Sequence, residues 1–345
     1  MGPPDRAELP PLSAPDGGAL GGDGDRDAGG GAAGRDGPAG LGAGGETGGE
    51  IGLGIDVSVV VPDLDSPWIG RTLAALAAAG APGPGVEVIV AGRDEPRLVP
   101  RDGMVRFVEA PGRPNPAAAR NLGVAAARGR RLLFTDADCA PRRGWLRRLA
   151  AALDGSPVAG GAVTFPRTGS VWALADNVAS FHELLADRPA ETDTAGPLGS
   201  LNLACTREAW EQVGPFDEEL TTSEDLDWVL RARAAGLATA FVPRAVVEHA
   251  AARQSREELV AHAAWYGRNL HEFRRRHPGV VGTGPTWASR GVLGVAAPLK
   301  AIASALAIYR GRPILRDCRR ALPGVVAFKR AWYRAVLETW PREVR

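Results

Sequence analysis

Two aspartates one residue apart follow a short apolar run near the middle of the chain. Arg131–Thr135 is typical of a buried strand, and Asp136 and Asp138 come directly after it. Side chains two positions apart in an extended segment point the same way, so both carboxylates can face one site. Such oxygen donors suit a hard divalent cation, and open α/β sheets bind ligands at the carboxyl ends of their strands. Aspartate is also common in turns after strands, so this spacing alone leaves a metal site and a turn equally open.

Three further groups carry side chains that could complete such a site. Glu224 and Asp225 open a predicted helix. Acids there favour the helix dipole, but a carboxylate facing the aspartate pair across a cleft could act as a general base. His249 follows a strand-like run and is either a structural residue or a further donor to a metal such as manganese. Arg120 stands among small residues of a predicted helix, so it either forms a surface ion pair or reaches a nucleobase or a phosphate.

The elements that must position these residues alternate between strands and helices. Apolar and β-branched runs predict strands at residues 57–61, 86–90, 105–108, 131–135, 162–165 and 238–242, with 245–248 extending or following the last. Helical patterns cover residues 72–79, 116–128, 145–153, 172–185, 207–213 and 225–235. This alternation predicts an α/β fold with a mostly parallel sheet flanked by helices. The polar segment 187–198 contains Pro and Gly and is predicted to be a mobile loop.

Charge and cysteine content narrow the function classes. The 345-residue chain has a formal net charge of +1, which gives no global field favouring nucleic acid. Cys139, Cys205 and Cys318 are an odd and widely spaced set that fits neither a disulfide framework nor a zinc site. We therefore expect a protein of a reducing, cytoplasmic compartment that does not bind nucleic acid.

Composition divides the chain into three parts. Residues 1–54 are dominated by Gly, Ala and Asp and are predicted to be a disordered tail, because they have too little apolar surface to offset ordering. They lack the basic start and continuous apolar stretch of a secretory signal. Residues 55–284 are long enough for one large core and are predicted to form the main domain. Residues 285–345 are predicted to be a helical extension.

Part of this extension is apolar enough to raise the question of membrane contact. Residues 291–309 are apolar except for Lys300, and Pro298 interrupts them. Their length approaches that of a membrane span, but the central Lys300 and the Gly and Ala content favour an interfacial or core-packed helix. Arginines follow it, namely Arg310, Arg312, Arg316, Arg319 and Arg320. They could contact anionic lipid headgroups or form a solvated face.

Short motifs occur in a fixed order between residues 57 and 278. They are the strand Ser58-Val59-Val60-Val61-Pro62, Ala119-Arg120-Asn121-Leu122-Gly123, Asp136-Ala137-Asp138, Leu201-Asn202-Leu203-Ala204, Gly214-Pro215-Phe216-Asp217-Glu218, Glu224-Asp225 with Arg231 downstream, and a strand leading to His249. In this order and spacing they resemble the motifs of family 2 glycosyltransferases of the GT-A fold, which have a Rossmann-like sheet.

The resemblance implies a role for each site residue. Asp138 would bind Mg²⁺ or Mn²⁺, and His249 would complete the metal shell. Asp225 would be the general base that deprotonates the acceptor hydroxyl, and Glu224 would help to place the acceptor. Contacts to the nucleotide-sugar are expected from Pro62, Asp94, Arg120, Asp136 and Asn202. Arg120 would lie against the nucleobase or a phosphate, and Asp136 near the ribose and diphosphate.

The implied function is a metal-dependent transfer of a sugar, with inversion, from a nucleotide-sugar to a hydroxyl of a lipid, glycan or small molecule. Such a reaction would belong to cell-envelope glycan, glycolipid or natural-product glycosylation, in the cytoplasm or at the inner face of the membrane. One departure leaves the nucleotide open. The family usually has Asp-Asp-Gly-Ser after the second strand, whereas residues 90–95 here read Val-Ala-Gly-Arg-Asp-Glu. Asp94 would have to serve from a shifted position, and Asp65 stands where the family usually has Asn.

Two alternatives accompany this interpretation. A protein of the same fold could bind the nucleotide-sugar without turnover, which the altered segment 90–95 motivates. A phosphatase of the haloacid-dehalogenase type also places Asp-x-Asp after a strand. That chemistry needs a lysine near the aspartyl phosphate, and the chain has no lysine before Lys300.

Overall fold

The computed structural model describes residues 55–277 and 287–339, so the predicted tail at 1–54 lies outside the described residues. The strands are β1 (Val57–Leu64), β2 (Val86–Arg93), β3 (Arg106–Glu109), β4 (Arg131–Thr135), β5 (Cys139–Pro141), β6 (Val158–Thr164), β7 (Asn202–Thr206) and β8 (Thr239–His249). The helices are α1 (Ile69–Ala78), α2 (Pro116–Ala126), α3 (Trp145–Ala152), α4 (Val171–Phe181), α5 (Arg207–Val213), α6 (Glu224–Ala234), α7 (Arg256–Arg276), α8 (Trp287–Tyr309) and α9 (Leu322–Thr339). Short 3₁₀ segments cover His182–Leu184 and Pro313–Ala321.

One mixed sheet carries the candidate site residues. Its strand order is β3-β2-β1-β4-β7-β6-β8-β5 across the described residues. The first four strands are parallel, and β6 is parallel to β8. β7 is antiparallel to both β4 and β6, and β5 is antiparallel to β8. The predicted α/β fold with a helix-flanked sheet is therefore confirmed, and its second half is more mixed than the alternating pattern suggested.

Apolar side chains of β1 alternate between two cores. Val59 and Val61 pack on one face of the sheet, with α1 and α3, while Val60 packs on the other face, with α2 and α6. All three are fully buried, because β1 lies between β2 and β4 and has a helical layer on each side. The site residues thus follow strands in the buried centre of the sheet.

Several boundaries differ from the sequence prediction. β1 continues past Pro62 to Leu64, because Pro62 still pairs with Ala91 of the neighbouring β2. Of the two possibilities left open for residues 245–248, the structure has the extension, since β8 is one strand. Its register against β6 shifts so that Gly161 pairs with Val242 but Ala162 with Val246. Pro243 lies within this irregularity, where its missing N–H costs no ladder hydrogen bond. The short strand β5, the strand β7 and the long helix α7 were not predicted.

The C-terminal helices form a third core with α4. Leu174 and Val178 of α4 pack with Val325 and Phe328 of α9. α7 and α9 approach closely at Gly267, where a Cβ atom would lie 2.6 Å from the carbonyl oxygen of Trp332. Within the described residues, no helix has the length and apolar character needed to cross a membrane. The helical extension predicted from the sequence is therefore packed against the main domain over its described part.

Candidate active site

The carboxyl end of β4 and the first turn of α6 meet beside the buried helix α2. Small residues allow α2 to lie directly on the sheet, since a Cβ on Gly123 would lie 2.5 Å from Val60 Cγ1. Arg120 lies three residues before Gly123 in the same helix and is buried as well, with 3% of its side chain exposed. The helix begins at Pro116, after Asn115 accepts a hydrogen bond from the Ala118 N–H as the N-cap.

Arg120 joins the aspartate pair to the Glu224-Asp225 motif. Its Nη2 donates to Asp136 Oδ1 at 2.6 Å, and its Nη1 donates to Glu224 Oε1 at 2.6 Å. The ring of Phe216 lies below the guanidinium at 5.8 Å. Both terminal nitrogens are engaged by carboxylates, so in this arrangement Arg120 holds Asp136 and Glu224 together. It is neither the surface ion pair nor a free cation facing the cleft.

Burial and ion pairing compete at these carboxylates. Burial raises the pKa of Glu224 to about 7, and the charge of Asp225 adds to this while Arg120 opposes it. Burial likewise raises the pKa of Asp136, with Arg120 acting in the opposite direction and Asp138 in the same direction. Arg120 itself stays charged, because the two carboxylates outweigh the effect of burial and raise its pKa. The group is therefore an ion triad in which Arg120 and Glu224 are buried and Asp136 keeps 30% of its side chain exposed.

Asp138 and His249 form a second contact, on the other side of Asp136. His249 Nε2 lies 3.3 Å from Asp138 Oδ2. The sheet enforces this proximity, because Cys139 pairs with His249 between β5 and β8 and the Ala250 N–H donates to the Asp138 carbonyl at 2.9 Å. Although burial opposes ionisation, His249 holds the pKa of Asp138 well below its usual range. Burial lowers the pKa of His249, but Asp138 outweighs it and raises that pKa overall.

The spacing of these two side chains fits one divalent cation. Neighbouring ligands of an octahedral Mg²⁺ ion at about 2.1 Å lie roughly 3 Å apart, and the Nε2–Oδ2 separation is 3.3 Å. In residues 55–277 and 287–339, no group of three or more His, Cys, Asp and Glu side chains converges as a metal site. This pair supplies two donors, and the remaining ligands of a bound ion would come from outside the pair.

Asp225 is oriented away from the triad. Its Oδ2 accepts hydrogen bonds from the Ser200 N–H at 2.9 Å and the Ser200 hydroxyl at 3.3 Å, and its Oδ1 accepts from the Leu226 N–H. Successive side chains of a helix point about 100° apart, so the two acids at the start of α6 diverge. Glu224 therefore joins Arg120, while Asp225 faces the segment that precedes β7. Both acids also lie in the first turn of α6, where the dipole favours them.

Of the residues predicted to contact the nucleotide-sugar, two are bonded elsewhere and a third, Pro62, is buried in β1. Asp94 accepts from the backbone of Leu98 and Val99, which caps the turn after β2. Asn202 is fully enclosed: its amide oxygen accepts from Trp145 Nε1, and its nitrogen donates to two backbone carbonyls. Pro62 is buried within β1. A donor contact through the side chains of Asp94 or Asn202 would have to replace these bonds.

A cavity of about 660 Å³ opens at the carboxyl ends of β2 and β3. Its lining includes charges of both signs and one aromatic ring, from Arg93, Glu95, Arg97, Arg101, Phe107 and Glu109. The altered segment 90–95 supplies part of this lining. The segment that departs from the family's usual motif thus forms part of the wall of this cavity.

Sequence reasoning missed two polar residues in this region. Asp63 is fully buried at the end of β1, and one of its carboxylate oxygens has no hydrogen-bond partner within the described structure. Burial, with smaller contributions from Asp94 and Asp65, raises its pKa to about 7. Asn177, on α4, lies against His249 Nδ1 at 2.7 Å. The acid directly after Pro62 could have been noticed, but nothing in the local sequence marks Asn177.

Comparison with known proteins places this site in a family. Residues 55–268, more than half of the chain, match the family described as "Glycosyltransferase like family 2". The chain belongs to this family. The match spans the ion triad, the Asp138–His249 pair and Asp225, and the resemblance stated from the motifs is thereby confirmed.

Individual glycosyltransferases are identical to the chain at about a third of the aligned residues. The pre-mycofactocin glycosyltransferase of Mycobacterium tuberculosis (strain H37Rv) is 33% identical over 221 residues, which cover 60% of this chain and 46% of the relative. The glycosyltransferase AglE of Haloferax volcanii is 32% identical over 128 residues, covering 36% of this chain and 40% of the relative. The match thus spans less than half the length of either relative.

A solved structure shares the fold. The mannosyltransferase PcManGT from Pyrobaculum calidifontis, crystallised with GDP-Man and Mn²⁺, aligns with a TM-score of 0.50 at 18% identity. The alignment covers 83% of this chain and 88% of that chain. At this identity the likeness concerns the GT-A fold.

Proposed function

We propose that this protein transfers a sugar from a nucleotide-sugar donor to an acceptor hydroxyl, with a divalent cation and with inversion at the anomeric carbon. One observation carries the proposal: the Asp-x-Asp pair is divided between two neighbouring groups. Asp136 is tied through Arg120 to Glu224 at the start of α6, and Asp138 is next to His249. A metal donor pair and a base-bearing helix are thus assembled around the end of one strand.

Asp138 and His249 are the residues that would hold Mg²⁺ or Mn²⁺. Asp138 is ionised over the physiological range because its pKa is lowered, so it provides a permanent negative charge. A bound cation would offset the charge that develops on the leaving nucleoside diphosphate. Asp136, fixed by Arg120, would contact the ribose or diphosphate beside it.

Asp225 is the proposed general base. Its carboxylate is anchored by Ser200 but remains partly exposed, so it can accept a proton from a bound hydroxyl. Glu224 is buried and its Oε1 accepts a hydrogen bond from Arg120, which suits a positioning role better than that of a base in contact with the acceptor. A single displacement with Asp225 on the acceptor side would invert the anomeric carbon.

The donor and acceptor are proposed only as classes. The cavity at the ends of β2 and β3 has arginines that suit a nucleotide's phosphates, and one of them, Arg101, lies 3.9 Å over the ring of Phe107. The nucleotide-sugar and Mn²⁺ bound by the Pyrobaculum mannosyltransferase belong to the same ligand class. The acceptor would be a lipid, a glycan or a small molecule.

A peripheral contact with the inner face of the cell membrane is proposed for α8. Leu299, Ile302 and Leu306 have 71%, 43% and 52% of their surface exposed. Their spacing places them on one face of the helix, with Arg310 one turn further on. An apolar stripe with an adjacent cation suits the headgroup region of an anionic membrane.

The second candidate is a protein that binds the nucleotide-sugar without turnover. The use of Asp94 as a turn cap favours it, since the family's base-reading acid is then committed to the backbone. The presence of all three aspartates, Asp136, Asp138 and Asp225, favours the enzyme. A transfer assay separates the two.

The test uses the full chain with a panel of nucleotide-sugars and Mn²⁺. Thermal shift identifies the bound donor, and release of nucleoside diphosphate reports turnover. Asp138→Ala should weaken donor binding in the presence of Mn²⁺, whereas Asp225→Asn should abolish transfer and leave donor binding near the wild-type level. Binding without transfer in the wild type, with every acceptor class supplied, would favour the second candidate. No binding of any donor would contradict both.

A further inference from the structure

A buried asparagine on α4 contacts the ring nitrogen of His249 that faces away from Asp138. Asn177 is 1% exposed, and its Oδ1 lies 2.7 Å from His249 Nδ1. The other ring nitrogen, Nε2, lies 3.3 Å from Asp138 Oδ2. Each nitrogen of this imidazole therefore has one defined neighbour.

The surroundings of Asn177 fix which way its amide points. Nδ2 donates to the Ala173 carbonyl at 3.1 Å and to the Ala250 carbonyl at 3.2 Å. Carbonyl oxygens only accept, so the NH₂ group must face them and Oδ1 must face His249. An oxygen that accepts from Nδ1 requires a proton on that nitrogen. In the neutral ring, the lone pair is then on Nε2, on the Asp138 side.

α4 also fixes the plane of the ring. Phe181 lies one helical turn after Asn177, and its ring centroid is 4.6 Å from that of His249, with 54° between the planes. The backbone of His249 is held separately by its pairing with Cys139 between β8 and β5. The sheet thus places the residue, and α4 orients its imidazole.

We infer that Asn177 is a positioning residue that presents Nε2 of His249 to the divalent cation shared with Asp138, an inference that rests on the proposed function. A lone pair facing a carboxylate oxygen at 3.3 Å is repulsive unless a positive charge lies between the two atoms. Asn177 accepts from Nδ1 whether that charge is a ring proton or a metal ion. The ring therefore does not turn when a cation binds, and the donor pair is preorganised.

The test compares two substitutions of Asn177, one of which keeps a hydrogen-bond acceptor for His249 Nδ1 and one of which does not. Asn177→Leu and Asn177→Asp both remove the donors to Ala173 and Ala250, but only the aspartate keeps an acceptor for Nδ1. With Mn²⁺ alone as the probe, we expect Asn177→Leu to weaken binding about 10- to 100-fold, measured by electron paramagnetic resonance titration of the full chain. Asn177→Asp should stay within a few-fold of wild type. Asn269→Leu is the control, since that asparagine donates to Trp265 on α7 and does not contact His249.

A spectroscopic signature separates positioning from a general loss of structure. Electron spin-echo modulation from a directly bound imidazole nitrogen should be present in wild-type protein and in Asn177→Asp, and reduced in Asn177→Leu. Equal Mn²⁺ affinity and equal nitrogen modulation in all three proteins would overturn the inference and leave the proposed function standing. If wild-type protein binds no Mn²⁺, the metal-dependent function fails and the inference fails with it.

Wild-type protein provides a test that does not depend on the variants folding. In protein loaded with Cd²⁺, two-bond ¹H–¹⁵N spectra should show His249 protonated at Nδ1, with the resonances assigned by their loss in His249→Gln. Protonation at Nε2 instead would overturn the inference, because that nitrogen would then have no lone pair for a metal ion.

Discussion

At the scale of single residues, Arg120 has the most demanding surroundings in the site. Its guanidinium is 3% exposed and pairs with two carboxylates, one directly after β4 and one in α6, that are 88 positions apart in sequence. An ion group of this kind contributes modestly to stability when complete, but removing Arg120 leaves the buried Glu224 without its counterion and Asp136 without its hydrogen-bond donor. The same residue therefore supports both the fold and the geometry of the site.

We predict that Arg120→Met destabilises the protein by about 3–5 kcal/mol, because Asp136 and Glu224 then lose their shared counterion. Urea denaturation measures the loss. Arg130→Met is the control: its side chain is 77% exposed and pairs with Asp56, so its loss should cost less than about 1 kcal/mol. Equal effects of the two substitutions would contradict the role of the buried triad.

Asp63 predicts a pH dependence of stability. Its pKa is raised to about 7 in the folded protein, mainly by burial, from an ordinary value of 3.8. The folded state therefore binds more protons than the unfolded state between these values, and stability falls as the pH rises through that window. We expect Asp63→Asn to remove part of this fall, up to about 4 kcal/mol at pH 8, with little difference from wild type near pH 4.

Urea denaturation of both proteins between pH 4 and pH 8 provides the measurement. Other groups titrate in both proteins, so the difference between them isolates Asp63. A stability difference that stays constant across this range would show that Asp63 does not change its protonation on folding in the predicted way.

At the scale of elements, glycines determine how closely α7 and α9 can pack. Helix α7 has Gly267 in its middle, where a Cβ would lie 2.6 Å from the Trp332 carbonyl oxygen and 2.9 Å from Ala335 Cβ. The intrinsic preference of a helix for Ala over Gly is about 1 kcal/mol, whereas overpacking against backbone typically costs about 1–3 kcal/mol. Packing should therefore win over propensity at this position.

We predict that Gly267→Ala lowers the free energy of unfolding, despite the gain in helix propensity, and that Gly70→Ala does not. Gly70 lies in α1, and a Cβ there would meet no atom within 4 Å. Thermal and urea unfolding of the two variants compare the same chemical change in two surroundings. Stabilisation by Gly267→Ala would mean that α7 and α9 separate without cost.

At the scale of the whole molecule, the C-terminal helices cover α4 and leave one apolar face of α8 uncovered by described residues. Val325 and Phe328 of α9 are buried against α4, whereas Leu299 and Leu306 of α8 are more than half exposed. The helix that orients His249 is therefore packed between the sheet domain and these C-terminal helices.

We predict that the triple variant Leu299→Glu, Ile302→Glu, Leu306→Glu binds more weakly to vesicles containing anionic lipids. The substitutions remove the apolar stripe and add negative charges that the lipid headgroups repel. Co-sedimentation with vesicles measures this. Met104→Glu is the control, since Met104 is 65% exposed on a different part of the surface. Absence of wild-type binding at low salt would contradict the proposed membrane contact.

The local features of the site were accessible from the sequence. The hydrophobic pattern predicted β4 at residues 131–135 and α5 at residues 207–213, with the bounds that the structure has. In both segments the pattern of residues close in sequence is enough to indicate the secondary structure. The motif order identified the family and the α/β fold. β7 was not predicted, since its antiparallel insertion between β4 and β6 depends on residues far away in sequence.

The sequence by itself determined which residue types stand at the ends of strands and helices: Asp136 and Asp138 after β4, the acids of α6, and His249 at the end of β8. Only the tertiary structure decided their partners. It turned Arg120 toward two carboxylates, enclosed Asn202 in the core and placed Asn177 behind His249. Local pattern encodes secondary structure, whereas a buried polar group must find its partner wherever the fold brings one within hydrogen-bond distance.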